Sequence, residues 1–298
     1  MISNLNTKIF QNTEYANTQM NFSEAKSENK GTILLVHGTA PQNIDGSVPI
    51  PKLQEKISLT NPDHYLIKPF YKDLSNYLNS FGWNTVRYTR IGVYHDSVRN
   101  EEYCKTDLNN IMVQLKTIFN AIPNDKPRIV FSWSGGSIHA LQLPLNDLDG
   151  LVIFGGIATK RTDLHNYSRI SKKQKNDIQK QLDEILSARA EVLRTDMLNL
   201  DMPFGRFYDE NDLNDNWTYL KPFNKLPTLI LHGKNDNEVN VRQAEFWKVK
   251  LSNHNITEIF KDNANHAWGC SGNQDDSEDL ASVINAWLTR KFVQSPGL

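Results

Sequence analysis

The sequence predicts an α/β fold: a mostly parallel, twisted sheet with helices on both faces and a helical insertion. Three observations lead there. Short apolar runs rich in β-branched residues recur along the chain, as in strands buried on both faces. Segments with helical spacing of apolar residues lie between them, as the crossovers of a parallel sheet require. Two stretches, 41–69 and 157–226, break the alternation, and the second carries an amphipathic pattern of its own.

Taken in order, the first thirty residues are polar, with a weak alternation in "YANTQMNF" (15–22) that suits an edge hairpin. "TILLVHG" (32–38) is the first core strand. A proline-rich stretch, 41–69, follows without periodicity, and a loop of that length in a compact domain is commonly functional, so it is expected to overhang the site. "FYKDLSNYLNSFG" (70–82) reads as a helix, "TVRY" (85–88) as a strand and "DLNNIMVQLKTIFNAI" (107–122) as a second helix. "RIVFSW" (128–133) and "GLVIFGG" (150–156) are strands. After the insertion come a strand "PTLILHG" (227–233), a helix "QAEFWKVKLS" (243–252), a strand "ITEIFK" (256–261) and a closing helix "SEDLASVINAWLTRKF" (277–292).

The domain organisation follows: residues 1–156 and 227–298 form one core, and 157–226 form a lid or cap inserted into it. Within the insertion, Ile178, Leu182, Ile185, Leu186, Val192, Leu193 and Met197 fall on one stripe of a charged helix. Lys172, Lys173, Lys175 and Lys180 open that helix. They can form a solvated face or bind an acidic carrier, such as an acyl carrier, or phosphate.

Composition narrows the function. The 298 residues carry 33 basic and 34 acidic side chains, a formal charge of −1, so no global field draws the chain to nucleic acid or an anionic membrane. No apolar run approaches the roughly 20 residues of a membrane span. The opening "MISNLNTKIF" lacks the apolar core of a secretory leader, which leads to the expectation of a cytoplasmic protein. The two cysteines, Cys104 and Cys270, make neither a zinc cluster nor a disulfide framework. No dinucleotide or phosphate-loop fingerprint follows a strand, so no cofactor and no metal are expected. The expected partner is a small molecule.

The chemistry concentrates at strand ends. In "RIVFSWSGGSIHA" (128–140), an apolar strand breaks at Ser134 before two glycines. A serine on a sharp strand-to-helix turn exposes its hydroxyl, and such a turn needs small residues on both sides. Ser132 stands where the G-x-S-x-G pattern has its first glycine. "LLVHGTAP" (34–41) ends a buried strand in His-Gly, and backbone N–H groups of Thr39 and Gly135 can together form an oxyanion hole. His37 reads as a structural residue holding that loop.

In "LILHGKNDNEV" (229–239), Asp236 lies just past a strand, where a carboxylate can orient an imidazole; Glu238 is its rival, and an Asx turn is the alternative for Asp236. In "KDNANHAWGC" (261–270), His266 follows the next strand and can shuttle the serine proton. The order Ser, Asp, His, each after its own strand, is the order one α/β version of the catalytic triad demands. His139 and His232 read as core histidines. Trp133 and Trp268 are candidates for pocket lining, and Trp268 alternatively packs on the lid.

At these residues the sequence resembles the α/β-hydrolase family over nearly its whole length, the two interruptions excepted. "WSGGS" looks like the family's elbow and "GWNTVRYTRIGV" (82–93) like the strand and turn before it. "HGTAPQNIDG" (37–46) is similar to the H-G-x-x-P-x-x-x-D-G loop of a subgroup with esterase, acyl-CoA thioesterase-like and peptidase-like members. Ile44 stands where that subgroup commonly has arginine, so no arginine role carries over. The reading is a serine hydrolase acting on an ester or thioester. An acyltransferase, a carbon–carbon bond hydrolase or a peptidase would use the same triad, and a ligand-binding receptor could keep the fold without turnover.

Overall fold

A computed structural model describes residues 6–10, 18–50, 54–55, 68–99, 102–103, 106–160, 163, 172–173, 176–177, 180, 192–195, 200–203, 209–210, 212–269 and 276–293. Its centre is an eight-stranded sheet. The strands are β1 (Asn6–Phe10), β2 (Thr18–Ser23), β3 (Thr32–Val36), β4 (Asn84–Tyr88), β5 (Arg128–Trp133), β6 (Gly150–Phe154), β9 (Thr228–Gly233) and β10 (Ile256–Lys261). Two further strands, β7 (Val192–Thr195) and β8 (Leu200–Pro203), pair only with each other. The order across the large sheet is β1-β2-β4-β3-β5-β6-β9-β10.

From β4 to β10 every pairing is parallel, and β1 and β2 add an antiparallel hairpin at the β4 edge, as expected from the polar N-terminal stretch. The register is continuous, with Thr32 opposite both Asn84 and Arg128. The chain leaves β3 toward β4, crosses back, and leaves β5 toward β6 on the other side. The carboxyl ends of β3 and β5 therefore flank the point where the strand order reverses, and open α/β sheets bind their ligands there.

Period-two alternation sends successive strand residues to opposite layers. Ile33, Leu35, Phe131, Trp133 and Phe154 face the helices α1 (Phe70–Ser80) and α6 (Asp276–Leu288). Leu34, Val36, Val130 and Ile153 face the helix α2 (Leu108–Asn120) and the helix α5 (Arg242–Lys250). The short helices α3 (Gly136–Ala140) and α4 (Asn216–Leu220) complete the set used below. Asp107 starts α2 through a reciprocal cap: its carboxylate accepts the Asn110 N–H, and the Asn110 side chain accepts the Asp107 N–H.

Three expectations need correction. The apolar stripe of the insertion does not continue as a helix through Val192 and Leu193, because these residues open an antiparallel hairpin with Leu200–Pro203. Pairing across the hairpin, rather than propensity, holds the extended backbone there. The front of the long loop does not overhang freely: Asn43, Gly46 and Val48 are tucked in, and Asp45 pairs with Arg87 of β4 while its carbonyl accepts the N–H of Tyr71. Gly46, at φ +92°, fits because any Cβ would meet the Tyr71 ring and backbone. Trp133 and Trp268, expected at the pocket wall, are 2% and 1% exposed and belong to the α1/α6 core layer. Lys172, Lys173 and Lys180 are exposed on helical backbone. Lys175, Cys104, Cys270, Met197 and the stripe residues from Ile178 to Leu186 lie outside the described residues. No described helix is long and apolar enough to cross a membrane.

Candidate active site

Ser134 follows β5 with φ at +55°, the left-handed region that non-glycine residues seldom occupy. The turn is held from both sides. The Ser134 N–H donates to the Phe154 carbonyl of β6, and the Ser134 carbonyl accepts from both the N–H and the hydroxyl of Ser137. Ser137 Oγ in turn accepts the Ile157 N–H at 3.0 Å. Gly136 is required at this turn, since a Cβ would lie 2.4 Å from the His37 carbonyl oxygen. Ser132, the departure from the usual glycine, is fully buried and donates its hydroxyl to the Val152 carbonyl at 3.1 Å. A hydrogen bond to the neighbouring strand thus accommodates the extra side chain.

The loop leaving β3 packs on this elbow. A Cβ on Gly38 would sit 3.4 Å from Ser134 Cβ, and one on Gly135 would be 3.6 Å from the Thr39 nitrogen and far closer to its hydroxyl. Thr39 and Gly135, the two residues named for an oxyanion hole, are therefore neighbours. His37 turns the other way: its Nε2–H donates to the Tyr88 carbonyl at 2.6 Å, and its ring meets Tyr71 and Tyr88 edge-on. Burial, assisted by the Arg90 charge, pushes its pKa down to about 3, so it stays neutral and structural.

Asp236 and His266 meet beyond the ends of β9 and β10, where the His266 Nδ1–H donates to Asp236 Oδ2 at 2.7 Å. The other oxygen of Asp236 accepts the N–H groups of Glu238 and Val239, each at 2.8 Å. The Asx turn and the imidazole contact are thus both present, one on each oxygen. Gly155, at φ +52°, leaves room for the pair, since its Cβ would lie 3.2 Å from the His266 ring. Glu238 stands on the opposite side of the imidazole, its Oε2 3.9 Å from Nε2.

Burial alone would push the Asp236 carboxyl up. Attraction to His266 and hydrogen bonds from His232 and His266 outweigh it and hold the carboxyl well below the usual range. Burial likewise opposes charge on His266, but Asp236 first and Glu238 second raise its pKa above the ordinary value. His232 is buried, with Nε2 donating to the Val239 carbonyl and lying 3.3 Å from Asp236 Oδ2.

Trp133 links serine and histidine through the core. Its indole N–H donates to the His266 carbonyl at 3.0 Å, and the ring lies 5.6 Å from the imidazole and stacks against Phe154. Trp268 anchors the same loop from the other end by donating its indole N–H to Asp279. These tryptophans brace the site from below.

Two contributors escape sequence reasoning. Arg90 donates to the carbonyls of Gly38, Thr39 and Ala40. Glu210, from the carboxyl-terminal part of the insertion, is buried and lies 2.8 Å from Nε2 of His139 on α3. Only the arginine had a signal, as a charge immediately beyond an apolar strand.

No protein-family model and no curated protein matches the chain. Solved structures do. A soluble variant of monoglyceride lipase from Saccharomyces cerevisiae, in complex with a substrate analog, is similar with a TM-score of 0.64 at 14% identity, over 98% of this chain and 99% of that one. Est1E from Butyrivibrio proteoclasticus with bound ferulic acid is similar with a TM-score of 0.64 at 9% identity, over 93% and 96%. Alpha/beta hydrolase domain-containing protein 10 from mouse is similar with a TM-score of 0.56 at 12% identity, over 95% and 98%. The chain has the α/β-hydrolase fold.

Proposed function

Proceeding from that fold, we propose that the chain is a serine hydrolase that cleaves an ester or thioester of a small molecule through an acyl-enzyme on Ser134. The observation that carries the reading is the buried Asp236–His266 pair, tied through the His266 carbonyl to the indole of Trp133, the residue that precedes the strained Ser134. With Nδ1–H engaged by Asp236, the neutral imidazole has its acceptor nitrogen at Nε2, the form that takes a proton from a serine hydroxyl.

In this reading His266 deprotonates Ser134, which attacks the acyl carbonyl. The N–H groups of Thr39 and Gly135 stabilise the oxyanion, and His266 returns its proton to the leaving alcohol or thiol. Water, activated by the same imidazole, then releases the acid. Asp236 stays ionised throughout and stabilises the imidazolium. The monoglyceride lipase name of one similar structure supports an ester over an amide. The cap expected over residues 157–226 lies in part outside the described residues.

The test is intact mass after treatment with a fluorophosphonate, together with turnover of short p-nitrophenyl esters. A single adduct is expected on the wild type and none on Ser134→Ala, which should lose activity by about 10³-fold or more while keeping its melting temperature. Full turnover by Ser134→Ala would overturn the assignment.

A further inference from the structure

Arg90 lies just beyond β4, 6% exposed, under the loop that leaves β3. Its Nη1 donates to three successive carbonyls, those of Gly38, Thr39 and Ala40, the last two at 2.9 Å. In a planar trans peptide the C=O and N–H point in opposite directions. Holding the Gly38 carbonyl against the guanidinium therefore turns the Thr39 N–H to the far side of the loop, and holding the Thr39 carbonyl does the same for the Ala40 N–H. The third carbonyl precedes Pro41, which has no N–H to direct.

The elbow occupies that far side. The position of a Cβ on Gly135 is 3.6 Å from the Thr39 nitrogen, and that of a Cβ on Gly38 is 3.4 Å from Ser134 Cβ. The hydroxyl of Tyr103 also donates to the Thr39 carbonyl, from a second element and in the same sense. We propose that Arg90 is the positioning residue of the oxyanion loop: by gathering three carbonyls it aims the Thr39 N–H at the point where negative charge develops over Ser134.

The role rests on the Ser134 reading, and Arg90 touches no substrate. It predicts a loss confined to the transition state, because a donor aimed at a tetrahedral oxygen contributes little to the bound ground state.

The experiment uses Arg90→Met and Arg90→Gln in the full chain, with a neutral p-nitrophenyl ester, an alkyl boronic acid that forms a tetrahedral adduct with serine, and a non-reactive ketone analogue of the ester. For Arg90→Met, kcat should fall about 10- to 100-fold, less than the about 100- to 1,000-fold of deleting an oxyanion donor. Boronate affinity should fall in parallel, while KM, ketone affinity and the acidic limb of the pH profile stay put. Arg90→Gln, which keeps an amide donor, should lose less, and it decides the matter by the same readouts if Arg90→Met does not fold. A folded variant with wild-type kcat and boronate affinity, in a protein still labelled at Ser134, would overturn the arginine's role alone. Equal losses in ketone and boronate affinity would also overturn it, by making Arg90 a general prop of the pocket. Turnover that survives Ser134→Ala would remove the underlying reading and this role with it.

Discussion

Asp236 divides its two oxygens between tasks, one receiving the backbone of its own turn and the other the imidazole. Glu238, exposed at the opposite edge of that ring, contributes charge without a bond to Nδ1. The two acids should therefore respond differently to neutralisation. Asp236→Asn is expected to lower kcat by several orders of magnitude, as the analogous change does in serine proteases, whereas Glu238→Gln should cost less than about tenfold. Because Glu238 helps raise the His266 pKa, its removal should also move the acidic limb of kcat/KM to lower pH, read from a pH–rate profile. The reverse ranking would transfer the acid's role to Glu238. The places of Ser134, Asp236 and His266 just past the ends of β5, β9 and β10 were legible in the sequence because each follows a strand-like run. Glu210 was not, and the charge of Arg90 beyond a strand did not reveal its role, because their partners lie 71 and 50 to 52 positions away and only the folded chain brings them close. Trp133 was misread for a related reason: its position beside the serine does not reveal which layer its ring enters.

Elements were easier to read than contacts. The six parallel strands come out within a residue or two of the runs read from the sequence, most plainly β3, β5, β6 and β9, whose burial on both faces leaves a nearly unbroken hydrophobic signature. Helix α2 is marked at its start by Asp107 and Asn110. Removing that cap with Asp107→Ala should lower stability by about 1 kcal/mol in urea denaturation and leave catalysis alone. The insertion was harder, because leucine and valine at mixed spacing satisfy a helix and a strand equally, and the hairpin of Val192–Thr195 with Leu200–Pro203 is fixed by pairing rather than by propensity.

For the molecule as a whole, the Asp236–His266 pair couples folding to pH. A depressed carboxyl contributes stability that is present above its unfolded pKa and lost as pH falls through the folded value. A raised imidazole contributes stability that is present below its unfolded pKa and lost as pH rises through the folded value. Both contributions are in place between about pH 4 and 6.5. Melting temperatures of wild type and Asp236→Asn should therefore differ most in that window, the difference shrinking as pH rises through the folded imidazole value and, at the acid end, as pH falls toward the folded carboxyl value. Activity needs the neutral imidazole, so it should rise as pH climbs through the raised His266 value, where the stabilising contribution fades.

Near its two ends the stretch 157–226 is tied to itself and to α5. Gln243 of α5 accepts the N–H groups of Ala158 and Thr159, Asn216 donates to the Ile157 carbonyl, and Asp215 accepts the N–H of Lys160. The chain thus leaves the core and re-enters it through a single polar seam. Its consequence is modularity: sequence between the two anchor points can diverge in length and chemistry while the sheet keeps its register.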